Sequence, residues 1–102
     1  MPAMKSNALG PLGQLVATPT ALLAVTAEEV QQALERHVMG DWGELDEEGK
    51  KANDEALQSG ERLLSAYRTA SGTKFWIITE ADRSSTNVEL HISGFMLSLQ
   101  KC

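Results

Sequence analysis

The chain has 102 residues and a formal net charge of −5, from 9 basic and 14 acidic side chains. That length allows one domain and not two, and 42% apolar with 23% charged residues is too apolar for a disordered chain. The acidic balance argues against a sequence-independent nucleic-acid binder, which needs a basic face to displace counterions from phosphates.

The single cysteine, Cys102, is the last residue and has no internal partner, which fits a reducing compartment. No stretch approaches the roughly 20 apolar residues of a membrane-spanning helix. Met1 to Leu9 carries Lys5 but lacks the apolar run of a secretory signal. The expected location is the cytoplasm.

Residues 1–13, rich in Pro, Gly, Ala and Asn, read as a loose arm. Gln14 to Thr18 is short and apolar, either an edge strand or the lead-in to a helix. Thr18-Pro19 is a helix start, with Thr as cap and Pro at the first position, for a short helix from Pro19 to Ala24. Thr26 with Glu29 forms a capping box that opens a second helix from Ala27 to Met39. Val30, Ala33, Leu34, His37 and Val38 make one stripe along it, and Gly40 is placed to end it.

Asp41 to Leu45 is a connector. Asp46 caps a third helix, Glu47 to Gln58, whose early acids suit the helix dipole. Its buried face reads as Leu45, Gly49, Ala52 and Ala56. Arg62 to Thr69 alternates as a strand, and Ala70 to Thr73 is a tight turn. Lys74 to Glu80 is dense in aromatic and β-branched residues, apolar on both faces, and therefore central. After the turn Ala81 to Ser85, Thr86 to Ile92 alternates with Val88, Leu90 and Ile92 inward. Residues 93–102 form a tail that extends the last strand, docks as a short helix or hangs free, and its Phe95, Met96, Leu97 and Leu99 are apolar enough to seal a homodimer.

The fold expectation is α+β: two to three N-terminal helices on one face of an antiparallel β-meander of three strands, or of four where the segment near Leu15 joins an edge as a strand. The domain spans 14–92.

Several separated blocks carry a resemblance: His37 to Gly43, Leu45 to Glu48, Lys51 to Ala56, Leu63 to Tyr67 and Trp76 to Arg83, with Leu15 to Pro19 upstream. In order, they resemble a family of small bacterial proteins carried on plasmids and integrative elements, labelled plasmid-related or type I restriction endonuclease subunit. The similarity runs from Leu15 to Val88. Gly49 stands where the family has a charged residue, and the chain from Glu89 onward departs from the family's short Leu-Pro-acidic-Tyr ending. The resemblance implies an accessory protein of a mobile element, counter-defence or regulatory. It implies no chemistry.

Three clusters are candidate sites. His37, Asp41 and Trp42 bring an imidazole near a carboxylate, the pairing a general base requires; the plainer reading is a structural His closing a helix, with Trp42 as a core plug. Thr79, Glu80, Asp82 and Arg83 sit at a strand end and turn, where two acids and an Arg suit a cation or a partner's charge; the plainer reading is a turn with local bonds. Glu44, Asp46, Glu47, Glu48, Asp54 and Glu55 form an acidic run, a decoy for a basic nucleic-acid-binding protein or simply a solvated helix face interrupted by Lys50 and Lys51. Two histidines and one terminal Cys give no metal-ligand spacing, and no Gly-rich phosphate loop follows a strand, so no metal or cofactor is expected.

Three functions compete. The first is protein–protein contact without catalysis, through Asp41, Trp42, Glu44, Asp82 and Arg83. The second is a small nuclease or hydrolase using His37 with Asp41 or Glu80. The third is single-stranded nucleic-acid binding through Arg62, Arg68, Lys74 and Arg83 on the sheet, with Tyr67 or Trp76 stacking on bases.

Overall fold

The computed structural model describes residues 12–90. Its elements run β1 (Gln14–Ala17), α1 (Pro19–Ala24), α2 (Ala27–Val38), α3 (Glu47–Ser59), β2 (Leu63–Arg68), β3 (Lys74–Thr79) and β4 (Ser85–Leu90). The α+β class is as read from the chain. The expected tail, with Phe95, Met96, Leu97 and Leu99, the end of the last expected strand at His91 and Ile92, and the arm up to Pro11 lie outside the described residues.

Local chemistry sets the helix boundaries. Thr18 accepts from the Ala21 amide, and Pro19 opens α1. At α2 both halves of the capping box are made: Thr26 Oγ1 accepts from the Glu29 amide at 3.1 Å, and Glu29 Oε1 accepts from the Thr26 amide at 3.0 Å. Glu29 reaches further, its Oε2 accepting from the Ala70 amide at 3.0 Å, so the start of α2 is tied to the β2–β3 turn. Those backbone donors hold its carboxyl below the usual carboxylate range. Asp46 caps α3, and Gly60, at φ 79°, ends it in the left-handed region that glycine enters without cost.

The sheet order is β1-β4-β3-β2. The meander is present: β2 and β3 pair antiparallel from Leu63↔Thr79 to Arg68↔Lys74, and β3 and β4 from Phe75↔Leu90 to Thr79↔Thr86. The fourth strand corrects the antiparallel expectation. β1 joins beside β4 but runs parallel to it, Gln14↔Ser85 to Ala17↔Val88. The sheet is therefore mixed. Parallel neighbours need a long crossover, and here all three helices and two strands intervene between β1 and β4.

One face of the sheet presents Tyr67, Phe75, Ile77 and Val88 to Ala21 of α1, Val25 just beyond its end and Ala33 of α2, with Val30, Leu34 and Leu90 packed around them. Beside it, Trp42, Ala56 and Leu63 form a second cluster with Leu12, Leu45 and Leu57. On the opposite face Ala66, Trp76 and Ile78 form a third, with Leu45 and Leu64.

The helix α3 corrects the expected inner face. Ala56 is buried as read, but Asn53 takes the inward place and Ala52 is exposed. The reason lies at the sheet margin. Asn53 Nδ2 donates to the Leu64 carbonyl at 2.6 Å, and its Oδ1 accepts from the Leu64 amide at 3.1 Å. One side chain thus imitates a neighbouring strand. The connector closes the next position, where the Ala66 amide donates to the Trp42 carbonyl and the Glu44 amide donates to the Ala66 carbonyl at 2.7 Å. Gly43, at φ 74°, lies so close that a Cβ there would fall 1.9 Å from the Ala66 carbonyl oxygen. The β2 edge is thereby sealed against further pairing.

Candidate functional site

His37 is fully buried, and each ring nitrogen has a hydroxyl partner. Nδ1 lies 2.6 Å from Ser65 Oγ, and Nε2 lies 2.9 Å from Thr79 Oγ1. Thr79 Oγ1 in turn lies 2.8 Å from Thr86 Oγ1, and Thr86 donates to the Leu12 carbonyl at 2.8 Å. Each hydroxyl has one proton to give, which orients the whole row. Thr86 spends its proton on Leu12, so Thr79 must donate to Thr86. Thr79 then accepts from His37 Nε2–H. That leaves Nδ1 unprotonated, accepting from Ser65.

His37 is therefore the neutral Nε2–H tautomer. Burial pushes the His37 pKa down to about 4, with the positive charge of Arg83 adding to the effect. The Trp42 ring stands edge-on to the imidazole at 5.7 Å. The row links the chain before β1 to β4, β3, α2 and β2, and among the described residues no buried side-chain polar atom lacks a partner.

Asp41 has different company. Its carboxylate accepts from Arg36 Nε at 2.8 Å and Nη2 at 3.3 Å, and from the Gly43 amide at 3.2 Å. The Arg36 guanidinium holds the Asp41 carboxyl below its ordinary value, and Asp41 raises that of Arg36. The guanidinium also lies 4.7 Å from the Tyr67 ring centroid. Tyr67 donates its hydroxyl to the Asp41 carbonyl at 2.6 Å, and burial pushes its pKa up to about 12.

The remaining candidates are engaged locally. Trp42 is buried and donates its indole N–H to Asp54 at 3.0 Å. Glu44 pairs with Arg68 at 2.9 Å. Glu80 Oε2 accepts from Asn87 at 3.4 Å. Asp82 accepts from the Ser84 hydroxyl and amide, which lowers its pKa. Arg83, at φ 61°, turns its guanidinium onto the carbonyls of Glu61, Glu80, Ala81 and Ala56, where it neutralises the C-terminal end of α3.

His37, Asp41 and Glu80 therefore have separate partner sets. The rings named for stacking, Tyr67 and Trp76, are buried. Among the described residues, no three His, Cys, Asp or Glu side chains gather where a metal ion could sit, and no helix is long and apolar enough to cross a membrane.

What the structure does bring into the open is the C-terminal end of α2. A surface cavity of about 490 Å³ is lined there by Gln32, Glu35, Arg36, Met39, Gly40 and Asp41. Met39 is 58% exposed within this polar frame. Sequence reading named Asp41 but passed over Met39 and Arg36. The available signal was a Met immediately before the helix-ending Gly40, off the apolar stripe. No protein-family model, curated protein or solved structure matches the chain.

Proposed function

We propose that the protein works by binding another protein at the end of α2, with no chemistry of its own. The observation that carries this reading is the cavity around Met39. An exposed, adaptable apolar side chain framed by an ion pair has the anatomy of an interface centre with a polar rim. The partner implied is a protein that lays an apolar side chain on Met39 and offers polar groups to Arg36 and Asp41. The resemblance to small proteins of plasmids and integrative elements supports an accessory role on a mobile element, in counter-defence or regulation. The surface is narrower than the one read from the chain, because Trp42 is buried and the Arg83 guanidinium is engaged by carbonyls of its own chain.

Met39→Lys tests it. A cation at the end of a helix suits the dipole, so folding should be kept. Affinity capture with the tagged full chain from a bacterial lysate should yield a stoichiometric protein partner that Met39→Lys loses while its circular dichroism is unchanged. Equal capture by both chains, or no partner with either, overturns the reading.

A further inference from the structure

The two margins of the sheet are treated differently. The β2 edge is closed by Asn53 and by the connector. β1 is the opposite end member, and among the described residues no strand lies beyond it. The Gln14 and Thr18 amides point inward, donating to Ser84 at 3.0 Å and Val88 at 3.2 Å. Strand alternation then aims the amides and carbonyls of Leu15 and Ala17 outward.

The side chains around this edge are apolar and in the open: Leu15 is 54%, Val16 42%, Leu22 63% and Leu23 90% exposed. Residues 12–27 carry no charged side chain at all, in a chain of net charge −5. A partner drawn by the protein's negative charge would find nothing to pair with here. For a second copy, equally negative, an uncharged edge is where approach costs least.

We infer that the β1 edge pairs with the β1 edge of a second copy of this chain, antiparallel about a two-fold axis at Val16, joining the two sheets into one. The register follows from the geometry. Centring on Val16 sets Leu15 opposite the second copy's Ala17 and Ala17 opposite its Leu15. Both are outward-facing positions, so every outward amide and carbonyl of β1 is used. Centring on Ala17 would instead set Leu15 against Pro19, which has no amide to give. With Val16 on the axis, the two Val16 side chains meet as a close, non-hydrogen-bonded pair. Leu15 lies on the same sheet face as Ala17, which packs in the cluster containing Ala21 and Val25 of the α1 region, so Leu22 and Leu23 flank the joint. The contact is isologous and closes after one partner. It is separate from the Met39 cavity, so either can fail alone.

Analytical ultracentrifugation of the full chain over a wide concentration range should show the mass rising from 11.1 kDa toward twice that value. Val16→Lys sets two cations face to face on the axis and should weaken association at least about tenfold. Mixing Val16→Lys with Val16→Glu should restore a dimer containing one of each. If Val16→Lys disturbs the circular dichroism, Leu15→Lys at its exposed site takes its place with the same expectation. A chain that stays at monomer mass to its solubility limit overturns the inference, its edge being covered by its own terminal segments or by another partner. Dimerisation unmoved by a folded variant overturns it too.

Discussion

His37 falls on the apolar stripe of α2, where an imidazole is either a reactive group or a core member. Its two hydroxyl partners and complete burial make it a core member. That role has a measurable consequence. The folded-state pKa is depressed from 6.5 to about 4, so the native fold prefers the neutral ring. The stabilisation is complete above pH 6.5 and is lost as pH falls through the window down to about 4, amounting to roughly 3 kcal/mol. In His37→Gln the pH-dependence of urea-unfolding free energy across that window should shrink by about this amount relative to wild type. Equal slopes in both proteins would mean that the ring is protonated in the native core. Arg83 carries the same lesson. As a residue type it reads as an exposed charge for a ligand, yet its position at φ 61° turns the guanidinium onto carbonyls of its own chain.

At the scale of elements, caps were legible because they depend on residues three apart. Thr18, Thr26 and Asp46 all act where the chain places them. The rotation of α3 was not legible. Periodicity put Ala52 inside, but the open carbonyl and amide of Leu64 recruit Asn53 instead, and no local pattern records that need. Asn53→Ala should cost about 2–4 kcal/mol, since it orphans two backbone groups at a covered edge. Urea denaturation measures it; a loss below about 0.5 kcal/mol, the usual range for an inconsequential surface change, would show that water replaces the side chain at no cost. The direction of β1 was likewise hidden, because alternation fixes which side chains face inward but not which way a strand runs beside a distant neighbour.

For the whole molecule, charge is the property most directly readable from composition. With a sequence pI near 4.9, the net charge vanishes around that pH. Light scattering should therefore peak near pH 4.9, as self-repulsion fades. This pH lies inside the His37 titration window, so the loss of solubility should coincide with partial destabilisation. Scattering that is flat from pH 7 to pH 4 would count against this account of the surface charge.

By itself the sequence determined the class of the fold, the capped helices, the β2–β3–β4 meander and the acidic character. Each of these depends on neighbours within one turn or one hairpin, or on composition alone. Tertiary structure decided the parallel seat of β1, the inward turn of Asn53, the partners of His37 and the exposure of Met39. These are settled between residues far apart in the chain, such as His37 with Thr79 and Thr86 with Leu12. A buried polar group takes whichever partner the packed chain brings within bonding distance, and that pairing is a property of the closed core rather than of any local run of residues.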